Sequence, residues 1–151
     1  MKKVSLIAMV MVLVLPMFAG SAHAQFAKAE DAVKYRQSAF QLMASHFGRM
    51  QPVVRGQAPY DKAAIKANVD LLVTLSALPW PAFGDGMTGG GAKPEVWSDA
   101  AGFKKAAENY QASVAKLSAA ANAGDLDKLR AAFGETGASC KACHDSYRAK
   151  K

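Results

Sequence analysis

The chain is short of what sheets, membrane spans and nucleic-acid interfaces require. No stretch alternates apolar and polar residues with period two, so no sheet is expected. Only one apolar run is long, Val4 to Gly20, and it falls short of the ~20 residues that a spanning helix needs. Acidic residues number 12 against 19 basic ones, but the basic residues are scattered and no aromatics are interleaved with them, so no nucleic-acid footprint is present. Metal ligands are scarce too. There are two cysteines and three histidines, and beyond Cys140, Cys143 and His144 the one strong candidate for a fourth zinc ligand is His46. Internal repeats and low-complexity tracts are absent.

What is present begins with a leader. Met1-Lys2-Lys3 is a basic start, Val4 to Gly20 an apolar middle and Ala22-His23-Ala24 a small-x-small cleavage site. These are the parts of a secretory signal peptide over residues 1–24, with Gln25 the first mature residue and residues 25–151 a single domain exported to the periplasm. A membrane anchor is the rival reading, but the run is too short and the cleavage site follows at once. Removing the leader takes two lysines and lowers the formal charge from +7 to +5. An excess of this size serves solubility and can steer a protein toward acidic partners. No membrane association is expected after cleavage.

Four segments carry a helical period. Val33, Phe40, Met43, Phe47 and Met50 share a face of a first helix over Glu30 to Gln51. Asp61 stands as N-cap to a second, marked by Ile65, Asn68, Leu72 and Leu75. Ser98 or Asp99 caps a third, where Phe103, Ala107, Tyr110, Val114, Leu117 and Ala121 recur at steps of four and three. A fourth begins at Asp125, with a stripe through Leu126, Leu129, Phe133, Thr136, Cys140, Cys143 and Tyr147. Gly124-Asp125 pairs a C′ glycine with an N-cap residue, a tight hairpin between the last two helices. Short links favour antiparallel neighbours, so the expected fold is all-α, an antiparallel up-down-up-down four-helix bundle. One connection, Ser76 to Trp97, is long. It carries three large aromatics, Trp80, Phe83 and Trp97; its first part is expected to fold over an apolar site and its glycine-rich part to stay flexible.

Chemistry concentrates in Cys140-Lys141-Ala142-Cys143-His144, the Cys-x-x-Cys-His attachment signal for c-type haem. On a helix Cys140 and His144 are i and i+4 and Cys143 is i+3, so two thiols and an imidazole share one side. The thiols can add to the two vinyl groups of one haem while His144 reaches the iron. A redox pair, a structural disulfide and a zinc site are the competing readings. Because the motif continues the apolar stripe of its helix, the haem is expected inside the bundle.

These residues together resemble the cytochrome c′ family. The resemblance covers Gln25 to Lys151 and rests on the four-helix pattern, the motif near the C-terminus and Arg148 just beyond it. It also rests on the segments Tyr35-Arg36-Gln37-Ser38-Ala39 and Met43-Ala44-Ser45-His46-Phe47-Gly48. It implies an antiparallel bundle, a homodimer packed through its first two helices, and five-coordinate iron with His144 as proximal ligand and an apolar distal face. Such proteins bind nitric oxide and carbon monoxide and discriminate against oxygen, and their role is argued between gas binding and electron carriage. By the same resemblance Arg36 and Gln37 lie near the haem edge, Arg148 stands beside His144, and Trp80, Phe83 and Phe103 pack on the haem. The distal position, often Leu, is Phe40 here.

Several residues carry two readings. Arg148 is a partner of His144 or a solvated arginine near a helix C-terminus. Arg36 pairs with a haem propionate or snorkels along the bundle. Met43 and His46 rival the open site as sixth ligands, and Met43 would suit an electron carrier, whose redox partner the sequence leaves unnamed. A haem-free helical interaction module would leave the motif without purpose. The expected role is binding and carriage rather than enzymatic turnover.

Overall fold

Residues 25–150 are described by the computed structural model, and the leader expected over residues 1–24 lies outside them. Helix α1 spans Ala29–Arg49, α2 is the single turn Gln51–Val54, α3 spans Lys62–Leu75, α4 is the short Glu95–Ser98, α5 spans Ala100–Ala123 and α6 spans Leu126–Tyr147. A 3-10 turn, Trp80–Phe83, lies between α3 and α4. The four long helices α1, α3, α5 and α6 make the expected antiparallel bundle. Among the described residues there is no strand, and Ala92 and Arg148 form one isolated antiparallel bridge.

The helix starts follow from short polar side chains. The Asp61 carboxylate accepts from the Ala63 and Ala64 amides at 2.9 and 3.1 Å, Asp99 accepts from Gly102 at 3.1 Å, and Asp125 accepts from Asp127 and Lys128 at 3.1 and 3.0 Å. Each satisfies amides that the first helical turn leaves without a carbonyl. Gly124 closes α5 with φ of 75°, a left-handed conformation that favours glycine. The first helix differs from its expected span. Instead of running to Gln51 it stops at Arg49, and the chain restarts as α2 with Pro52 in its first turn. Proline is accepted there because no carbonyl awaits its missing N–H.

The apolar stripes meet as their spacing requires. Met50, just past α1, and Val69, Leu72, Val114, Leu117 and Leu129 are all but completely buried, one knot to which α1 itself adds Met43. Burial of such side chains stabilises the fold by roughly 1.5–3 kcal/mol each. Backbones pack closely in the order α1 on α3, α3 on α5 and α5 on α6. The remaining seam, α1 against α6, is bridged by side chains: Phe47 and Phe133 stack face to face, 4.0 Å between ring centroids. Toward the C-terminal end of α6 that seam meets the motif.

Candidate functional site

Cys140 and Cys143 are free, half-buried thiols on α6. Burial pushes both thiols up from their ordinary pKa, with the neighbouring Cys143 adding to the shift at Cys140. A reactive redox pair needs the opposite, a thiol lowered toward thiolate. The thiol chemistry therefore favours attachment over redox exchange. His144 is drawn down by burial and then by the Arg148 charge, partly opposed by Asp145. The lowering favours the neutral ring, the form that ligates metal. Arg148 Nη1 lies 3.4 Å from His144 Nδ1. In a neutral imidazole one nitrogen carries the proton and the other the lone pair, so Nε2 can ligate a metal only in the tautomer that keeps the proton on Nδ1, with Arg148 then acting on the ring as a nearby positive charge.

Four aromatics named from the sequence converge. Phe40 on α1 meets Trp80 and Phe83 of the 3-10 turn at centroid distances of 5.8 and 6.2 Å. Phe103 on α5 meets Trp80 at 6.0 Å and Phe83 at 4.9 Å. The first part of the long connection therefore does fold over an apolar site. Two N–H groups lock it: the Trp80 indole donates to the Ser76 carbonyl at 2.6 Å and the Trp97 indole to the Phe83 carbonyl at 3.0 Å.

Tyr147, on the motif's own helix, ties the cluster to the motif. Its ring meets Phe103 at 5.3 Å, and its hydroxyl donates to Asp99 at 2.7 Å, a bond that pushes the phenol up to about 12. A side chain on Gly102 would collide with that pair, which is why glycine stands there. Tyr147 had a signal, its place on the apolar stripe one turn after His144. Gly102 had none, since Tyr147 reaches it from a distant segment.

The glycine-rich stretch corrects its expectation of flexibility. Arg36, 3% exposed, donates to the carbonyls of Ala82, Met87 and Gly89 at 2.7, 2.6 and 2.7 Å and stacks on Phe83, 4.3 Å from the ring centroid. The Lys93 amide donates to the Tyr147 carbonyl at 3.0 Å, and the Ala149 amide to Gly91 at 2.9 Å. Arg36 thus spends three of its five donors on the loop; it neither snorkels nor stands free for a propionate, and two donors remain. Gln37 lies beside Gly90, on the same loop.

The two rival sixth ligands are engaged elsewhere. The Met43 sulfur accepts from the Tyr110 hydroxyl at 3.6 Å in the core, and His46 Nδ1 lies 3.0 Å from Asn68 Oδ1 on α3. Among the described residues no group of three or more His, Cys, Asp or Glu side chains is arranged to hold a metal ion.

Two clefts of about 460 Å³ border these groups, one along Cys140, His144 and Arg148, the other along Trp80, Phe83, Trp97 and Phe103. Two attachable thiols, an imidazole and a nearby group of rings fit an apolar macrocycle that Cys140 and Cys143 would hold and whose metal His144 would bind.

Known proteins agree. The sequence profile of the family described as Cytochrome C′ matches residues 31–148. A cytochrome c′ from Alcaligenes xylosoxydans xylosoxydans is 74% identical over 127 residues, covering 84% of this chain and all of that one. Another, from Rubrivivax gelatinosus, is 52% identical over 129 residues, covering 83% of this chain and all of the relative. Among solved structures, the nitric oxide complex of a mutant cytochrome c prime from Alcaligenes xylosoxidans superposes with a TM-score of 0.83 at 73% identity, covering 84% of this chain and 100% of that one. Members of this family carry covalently attached haem c, and Cys140 and Cys143 are present for the attachment. By its bundle, its motif and these matches, the chain belongs to the cytochrome c′ family.

Proposed function

We propose that this protein is a periplasmic monohaem cytochrome that keeps a five-coordinate iron open to diatomic gases, chiefly nitric oxide and carbon monoxide, and carries electrons. One observation carries the reading: Met43 and His46, the side chains able to fill the sixth position, are bonded to Tyr110 and Asn68. The nitric oxide complex of a mutant of the Alcaligenes protein supports it. A haem held here supplies an iron that takes up a diatomic gas and exchanges single electrons. The chain supplies the rest. Cys140 and Cys143 would hold the macrocycle, His144 would offer Nε2 with the Arg148 charge beside its ring, and Phe40, Trp80 and Phe83 would present carbon to the pocket and exclude water. Oxygen needs a hydrogen-bond donor to be held well, whereas nitric oxide and carbon monoxide depend on one less. An apolar cover therefore favours the latter.

Ferric and ferrous absorption spectra of the holoprotein, with and without nitric oxide, test this. High-spin ferric iron and a nitrosyl complex on adding the gas are expected. A low-spin ferric spectrum that Met43→Leu abolishes would establish the six-coordinate electron carrier instead. For export, periplasmic fractions of cells expressing the full chain should hold a protein beginning at Gln25, and retention of residues 1–24 in the membrane fraction would refute it.

A further inference from the structure

Helices α1 and α6 carry Phe40 and His144, assigned above to the wall of the proposed gas site and to its iron, yet these are neighbouring long helices whose backbones do not pack closely. At the motif end the glycine run bridges the two. The Gly89 carbonyl accepts from Arg36 on α1 at 2.7 Å, and the Gly91 carbonyl accepts from Ala149, just past α6, at 2.9 Å. Only Gly90 lies between the two anchors.

The neighbouring contacts leave this clip little slack. Gly90 has φ of 65°, and a Cβ there would lie 3.0 Å from Val33 Cγ1 and 3.1 Å from Gln37 Nε2, so the loop presses directly on α1. On the other side Lys93 grips α6 twice. Its amide donates to the Tyr147 carbonyl at 3.0 Å, and its ammonium donates to the Asp145 and Ser146 carbonyls at 2.8 and 3.1 Å. These last carbonyls have no partner within the helix, so a cation there is favoured by both hydrogen bonding and the helix dipole. Arg36 sits one turn before Phe40, and the carbonyls gripped by Lys93 belong to the residues directly after His144.

We propose that Gly89-Gly90-Gly91 is a clip that fixes the span between Phe40 and His144, and that Arg36 and Lys93 are positioning residues for gas binding through it. This rests on the open gas site proposed above. Functional groups must be held to within about 0.5 Å to act reliably, and a displacement of ~1 Å changes rates by up to about a hundredfold. A clip of one free residue supplies that constraint, where a flexible loop would not.

The test uses the holoprotein and three variants, Arg36→Met, Lys93→Met and Gly90→Ala, with Arg36→Lys as conservative rescue. Amide hydrogen exchange at Gly91, Lys93 and Ala149 reads whether the clip has opened. Soret circular dichroism reads haem placement whatever the coordination number, and the carbon monoxide association rate of the ferrous protein reads the site. Faster exchange at the clip, a changed Soret dichroism and carbon monoxide association altered by about tenfold are expected, with Arg36→Lys lying between wild type and Arg36→Met. If the clip amides exchange faster while dichroism and association rate stay as in wild type, the clip does not set the span. If exchange at the clip is unchanged in every variant, these side chains do not hold it, and the proposal fails equally. Should Arg36→Met fail to fold, Lys93→Met, which alters a side chain bonded at the surface, decides alone. A wild-type protein that takes up no gas would overturn the proposed function, while exchange and dichroism would still decide the clip.

Discussion

Cys140 and Cys143 lie one helical turn apart, and burial keeps each a neutral thiol. That environment suits two separate bonds to a macrocycle, one per cysteine. Cys140→Ser, matured with haem, should therefore remain attached through Cys143 alone. Mass spectrometry would find one thioether, and acid-acetone would extract more haem than from wild type; attachment indistinguishable from wild type would show that Cys140 makes no thioether. Phe40 poses the complementary question on α1. Its ring packs on Trp80 and Phe83, so Phe40→Leu shortens a wall of the pocket without making it polar. Faster carbon monoxide association is expected by flash photolysis, with a stability loss of about 1 kcal/mol in urea. A slower rate would mean that the ring guides entry rather than obstructing it. The motif was legible in the sequence because its logic is local, spanning five residues on one helix. The ring cluster was legible in part: the aromatic content of the long connection put Trp80 and Phe83 over an apolar site, and family resemblance added Phe40 and Phe103. Arg36 was read in part, since its partner carbonyls lie 46 to 53 residues away and only the folded loop brings them to it.

Helix ends gave the most reliable element-level reading, because a cap depends on a few adjacent residues. Asp61, Asp99 and Asp125 all cap as expected, and Gly124 turns the chain between α5 and α6. The glycine loop was misread because it is fixed by distant hydrogen bonds rather than by local signals, whereas α1 ends two residues short of its expected span through local bonds alone. The caps also predict a pH dependence. Hydrogen bonds from the Lys128 backbone and side chain hold the Asp125 carboxyl below the ordinary carboxylate range. Its native pKa is thus lower than its unfolded one, near 3.9. The stabilisation is complete above the unfolded value and is lost as pH falls through the native value. Asp125→Asn keeps a capping oxygen but removes the titrating charge. Its stability should fall less steeply than wild type in urea titrations below about pH 4. Equal slopes would mean that Asp125 contributes nothing to the acid limb. At Asp61, replacement by Ala should cost about 1 kcal/mol of stability near neutral pH.

At the scale of the molecule, the bundle hides its apolar stripes well enough that the large apolar side chains left outside become informative. Leu42 on α1 is 49% exposed, Leu71 and Val73 on α3 are 48% and 41% exposed, and Leu78 just beyond is 37% exposed. Helices α1 and α3 pack on each other, so this apolar surface is concentrated on the first two long helices rather than spread round the bundle. Single exposed leucines are ordinary, but several on one helix pair favour an interface. A two-fold dimer would bring each patch onto its own copy, burying the same residues twice. The sequence alone did not resolve this, because Leu42 and Leu71 look no different from core leucines until the buried faces of their helices are known. If the homodimer proposed from the family resemblance uses this face, Leu42→Glu with Leu71→Glu places charges against their own copies at its centre. Light scattering of the purified holoprotein should then give a dimer mass for wild type and a monomer mass for the double variant. Its Soret spectrum should be unchanged, since neither residue lies in the aromatic cluster or the motif. A dimer that survives both charges would move the interface off α1 and α3, and a wild-type monomer would remove it altogether.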